Sequence, residues 1–124
     1  MGQLGNGAVD DVDVPTQTGS LGVGRSAVAI SVGNANTCVI LDNGSVGCWG
    51  MNGNGELGDG THDIWGFRAE PGSIADLGPQ SDAIDISVGF QHVCAVLEEG
   101  SAYCWGLASN NALGCECNTS VVDT

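Results

Sequence analysis

The chain has 124 residues, of which 21 are glycine, against the roughly 7% usual in proteins, so long helices are all but excluded and short strands joined by tight turns are expected. Two arginines, no lysine and fifteen acidic residues leave a net charge of −13. That balance excludes nucleic acid, whose phosphate counterions need cations to replace them, and anionic membrane surfaces.

Met1–Leu4 carries no basic start and no apolar run, so no signal peptide is visible. No stretch approaches the ~18 apolar residues of a membrane span. Asp10-Asp11-Val12-Asp13 lacks the glycine and distal glutamate of a calcium loop and reads as a solvated acidic linker. A weak strand is expected near Val14–Thr18. Val28–Val32 alternates small apolar and polar residues and predicts a strand ending at Gly33. Thr37–Leu41 is rich in β-formers, Asp42-Asn43-Gly44 is a turn, and Val46–Trp49 returns as a third strand. A three-residue hairpin loop puts its last residue in the left-handed region, which glycine occupies without penalty.

Asp59–Ser73 is polar and turn-rich and reads as a linker, with a weak strand following near Ser73–Leu77. Inside the linker stand Trp65, Phe67 and Arg68, for which the other units show no counterpart. Aromatic and arginine side chains on an exposed loop are common binding anchors, so the three are candidate partner-binding residues; packing onto a neighbouring strand is the plainer alternative. Strands are expected again at Ile84–Val88, Val93–Leu97 and Ala102–Trp105, with a turn at Glu98-Glu99-Gly100.

Self-comparison explains this recurrence. At an offset of 56, fourteen residues between Ile30 and Gly58 are identical to their counterparts between Ile86 and Gly114, without a gap. Ile30-Ser31-Val32-Gly33 returns as Ile86-Ser87-Val88-Gly89, and Cys48-Trp49-Gly50 as Cys104-Trp105-Gly106. Gly2-Gln3-Leu4-Gly5-Asn6-Gly7 matches Gly55-Glu56-Leu57-Gly58-Asp59-Gly60 as a third, partial copy. A period near 55 residues suits a four-stranded propeller blade better than the shorter helical repeats.

These residues resemble the regulator of chromosome condensation repeat: an I-S-x-G element, an apolar strand, a D/N-G turn, an aromatic-glycine pair and N-x-x-G-Q-L-G-x-G. Here the pattern reads Ile30-Ser31-Val32-Gly33, Asp42-Asn43-Gly44, Trp49-Gly50, Asn52 and Gly55-Glu56-Leu57-Gly58-Asp59-Gly60. The second copy departs at Gly114-Cys115-Glu116-Cys117, where Asp-Gly-Thr is missing. The resemblance implies an all-β, partial β-propeller that binds other proteins; some members act as guanine-nucleotide exchange factors for a small GTPase. The parts are the tail of one repeat with an acidic linker (1–13), two fuller repeats (14–61 and 62–114) and the start of another (115–124). Two and a fraction repeats cannot close a ring of four to eight blades. The chain is therefore expected to be a piece of a longer propeller, or a subunit that self-associates through open blade edges.

Cys38 and Cys48, and Cys94 and Cys104, are separated by the same nine residues. With a three-residue hairpin loop each pair faces across its hairpin, within reach of a disulfide. Each bond would add roughly 3 kcal/mol and imply an oxidising, extracellular or secretory setting. Buried free thiols are the alternative, compatible with a cytoplasmic or nuclear protein, and a two-residue loop would instead set each cysteine opposite a tryptophan. Cys115 and Cys117 suit an irregular turn with a local or distant disulfide better than a metal site. No G-x-S-x-G elbow, lysine-bearing phosphate loop or H-E-x-x-H motif is present. No cofactor and no catalysis are expected. The expected role is protein binding through inter-strand loops; an exchange factor and a purely structural secreted repeat are the competing readings. The acidity reads either as a field that steers a cationic partner or as plain solubility.

Overall fold

The computed structural model describes residues 2–62, 65–74, 77, 82–108 and 121–122. Its strands are β1 (Ala27–Val32), β2 (Asn36–Leu41), β3 (Val46–Met51), β4 (Phe67–Ser73), β5 (Ala83–Val88), β6 (His92–Leu97), β7 (Ala102–Leu107) and β8 (Val121–Val122). They form two antiparallel four-stranded meanders, β1-β2-β3-β4 and β5-β6-β7-β8. Each sheet is one blade, and no helix occurs among the described residues.

Turn chemistry sets the register. Asp42-Asn43-Gly44 closes the β2–β3 hairpin, with Gly44 at φ 80° and its N–H donating to Leu41 O. Asn43 Oδ1 accepts from Ser45 N and Oγ, the local side-chain bonding that favours asparagine in turns. Leu41 then faces Ser45 and Cys38 faces Cys48. The second hairpin repeats this around Gly100, and Cys94 faces Cys104. The Cα atoms of the two pairs are 4.2 and 4.1 Å apart, and the sulfurs lie at bonding distance, 2.17 and 2.11 Å.

The sheets stack face to face. Cys38, Ile40, Val46 and Cys48 from the first enter one core with Val93, Ala95, Leu97 and Trp105 from the second. The opposite face of the first sheet carries Val39, Leu41 and Trp49, with Leu21 packed on them. Across the stack, Val88 N–H donates to Ser31 Oγ (3.0 Å).

Two expectations about the fourth strand need correction. The strand runs over Phe67–Ser73, inside the segment read as a linker, rather than over Ser73–Leu77. Val14–Thr18 forms no strand. One repeat earlier it stands where β4 stands, but among the described residues no strand lies beside it to complete a ladder. The Cys115–Cys117 turn lies outside the described residues.

Candidate functional site

The connector from β3 to β4 is tied by several side-chain hydrogen bonds and carries the aromatic candidates. It is organised by Asn52, which is buried. The Asn52 amide donates to Thr61 O (3.1 Å) and Thr61 Oγ1 (3.0 Å), its Oδ1 accepts from Leu57 N (3.1 Å), and its backbone N–H donates to Gly66 O. One residue thus ties the start, middle and end of the loop together, its side chain reaching Leu57 and Thr61 and its backbone N–H reaching Gly66. The carboxylate of Glu56, also buried, accepts from Asn54 N (2.7 Å) and Asn54 Nδ2 (3.2 Å).

At the far end Asp59 accepts from Thr61 N (3.0 Å) and Thr61 Oγ1 (2.5 Å), and pairs with Arg68 Nη2 at 2.6 Å. Burial opposes ionisation of Asp59, but the Thr61 hydroxyl and N–H and the Arg68 guanidinium together outweigh it. The carboxyl is held below its ordinary value and is charged at neutral pH.

Arg68 sits on β4, with its guanidinium laid over Gly72: a Cβ there would lie 2.1 Å from Nη1. It is therefore turned into the fold, fastening β4 to the connector. Phe67, its neighbour on β4 opposite Met51, is 49% exposed, and Trp65 just before the strand is 85% exposed. A cleft of about 190 Å³ lies beside them, lined by Asn52, Leu57, Asp59, Thr61, His62 and Phe67, among others. The three sequence candidates are thus brought together at one strand entry, with the aromatic pair outward and the arginine inward. Asn52 and Asp59, which shape this place together with Thr61, stand in the repeat pattern without a role there. Their signal was the short Asx-type spacing of Asp59 and Thr61.

The two tryptophans at equivalent repeat positions serve the core. Trp49 Nε1–H donates to Gln3 O (2.7 Å), and Trp105 Nε1–H donates to Glu56 O (2.9 Å). Gly5 and Gly58 press against the same indoles, where an added Cβ would come within 2.6 and 2.7 Å of Nε1. Each G-x-L-G connector is therefore a clasp on the tryptophan of the blade that follows it.

Family models of the Regulator of chromosome condensation (RCC1) repeat match residues 27–56 and 83–115, and a second such model matches residues 43–96. The human E3 ubiquitin-protein ligase HERC2 is 32% identical over 114 residues, 91% of this chain and 2% of HERC2. The ultraviolet-B receptor UVR8 of Arabidopsis thaliana is 29% identical over 114 residues, 91% of this chain and 24% of the receptor. Among solved structures, Prp20p from Saccharomyces cerevisiae superposes with a TM-score of 0.76 at 18% identity, covering all of this chain and 32% of Prp20p, a likeness of fold. The chain thus spans a small part of the length of each of these relatives.

Proposed function

The chain belongs to the regulator of chromosome condensation repeat family, and from that premise we propose that it is a non-enzymatic module that binds a cationic protein. The docking point is the aromatic pair Trp65 and Phe67. The observation that carries this is the 85% exposure of Trp65 on a connector pinned by Asn52 and by the Asp59–Arg68 pair. A large aromatic side chain has few rotatable bonds and loses little conformational freedom on binding, which is what interface anchors require. The charge of −13, with no lysine, favours a basic partner and speeds its encounter. The paired cysteines support a secretory or extracellular setting.

Yeast Prp20p is described as binding Gsp1p and histones, and these supply two test ligands of different kinds. Histone serves as a purified cationic surface, without implying a location. In a titration read by anisotropy, histone should bind the chain and the affinity should fall with added salt. Trp65→Ala/Phe67→Ala should weaken binding by roughly tenfold or more, as for central aromatic anchors, with an unchanged circular dichroism spectrum. Equal affinity of variant and wild type would overturn the docking point. Faster release of labelled guanine nucleotide from Gsp1p in the presence of the chain would replace the proposal with the exchange-factor reading.

A further inference from the structure

The tips of the two blade hairpins differ in the residue before glycine: Asn43-Gly44-Ser45 in the first is Glu99-Gly100-Ser101 in the second. The turn itself does not require asparagine, because Glu99 accepts from Ser101 Oγ much as Asn43 Oδ1 accepts from Ser45 Oγ (2.6 Å). Of the two tips, only the first reads N-x-S, the acceptor pattern for an N-linked oligosaccharide. Asn43 Oδ1 also takes the Ser45 backbone N–H (3.2 Å), and only the oxygen of a carboxamide accepts. That fixes the amide orientation and leaves Nδ2 without a hydrogen-bond partner among the described residues. Asn43 is exposed with the following blade in place, whose Ala83 N–H donates to Gly44 O and whose Asp82 side chain lies against Gly44. Glu99, at the same position of the second blade, is exposed with the preceding blade in place. The position therefore faces solvent with a blade on either side of it.

We propose that Asn43 is the attachment site of an N-linked oligosaccharide, transferred from a lipid diphosphate donor by a transferase of the secretory pathway. Nδ2 attacks the anomeric carbon of the donor's first sugar and forms a C–N bond. The bond from that carbon to the diphosphate oxygen breaks, and the lipid diphosphate leaves with the electron pair. Nδ2 gives one of its two protons to a base of the transferase. The product carries a bulky hydrophilic group on an exposed turn, where nothing need be displaced to hold it. The proposal rests on the secretory setting inferred from the paired cysteines and not on the aromatic docking point. Asn43 lies beyond the Val46 end of β3, whereas Phe67 faces Met51 at the other end, so a glycan and a docked partner occupy opposite ends of the blade.

The test uses the full chain, secreted from cultured animal cells behind a cleavable signal, with Asn118→Gln removing the other N-x-S/T match, Asn118-Thr119-Ser120. The secreted protein should run as a heavier band that collapses on treatment with peptide N-glycosidase. Carried out in heavy-oxygen water, that treatment should leave an oxygen-labelled aspartate at position 43 in the peptide mass map. Asn43→Glu, which copies the second hairpin, and Ser45→Ala, which removes the hydroxyl, should each abolish the shift. A secreted chain with no shift and an unmodified Asn43 would overturn the assignment, as would a shift that persists in both variants. Alkylation with and without reductant reads the cysteines separately. Free cysteines on a chain glycosylated at Asn43 would remove the argument for a secretory setting while supporting the acceptor site; bonded cysteines on an unmodified chain would do the reverse.

Discussion

At the scale of single residues, the Asp59–Arg68 pair shows how a short loop holds a charge in a chain already crowded with negative ones. Its Thr61 bonds and the guanidinium lower the Asp59 carboxyl below its ordinary value. The group therefore stabilises the fold fully above the unfolded carboxylate's value of about 3.9, and the contribution disappears as pH falls through the lower folded value. Asp59→Asn should cost on the order of 1 kcal/mol at pH 7, since it weakens both the ion pair and the charge-assisted bonds. Asp13→Asn removes the same charge from an exposed segment and should be near neutral or mildly stabilising. Urea midpoints measured from pH 7 to pH 2 check this. The gap between Asp59→Asn and the wild type should close on acidification; a gap independent of pH would show that Asp59 acts through packing and not through charge.

At the scale of elements, the connector clasp makes a sharp comparison. Gly58 has φ 63° and presses against the Trp105 indole, whereas Gly60 has φ 82° and open space where a Cβ would stand. Gly60→Ala should cost about 1 kcal/mol for the left-handed backbone alone. Gly58→Ala carries that cost and must also displace a buried indole that donates to Glu56 O, so a loss of roughly 2–4 kcal/mol is expected from thermal melts. Equal losses would mean that the connector is free to move off the tryptophan. The first three strands of each sheet were legible because alternation, a turn ending in glycine and the Cys-Trp-Gly return all agree. The fourth was not, because Pro71 and Gly72 argue against a ladder. Pro71 is tolerated since β4 is the last strand of its sheet and needs no donor on its outer side. Gly72 is there because the Arg68 guanidinium covers it. That contact joins residues of one strand through a side chain folded back on it, and no periodicity announces it. The aromatic pair was legible as a residue type without a counterpart in the other repeat, whereas the inward turn of Arg68 depended on Asp59, nine residues earlier.

At the scale of the whole molecule, the question is whether two blades amount to one structure. The shared core argues that they do: Ile40 of the first sheet is buried in the same cluster as Leu97 and Trp105 of the second. A blade parted from its neighbour would expose that entire face, and the N–H of Val88 would lose Ser31. Unfolding should therefore be a single transition. Ile40→Ala removes core contacts that belong to both sheets and should cost about 2–5 kcal/mol. Ile30→Ala, on an exposed position of β1, should stay within about 0.5 kcal/mol. The tryptophans separate the two halves as probes, since Trp49 reports the first sheet and Trp105 the second, once Trp65→Phe has removed the exposed signal. In that background, Trp49→Phe leaves Trp105 as reporter and Trp105→Phe leaves Trp49. Ile40→Ala should move the guanidinium midpoint equally by either reporter. A shift seen through Trp49 alone would mean that the second sheet stands without the first, and the clasp of Glu56 on Trp105 would then be holding together two independent pieces.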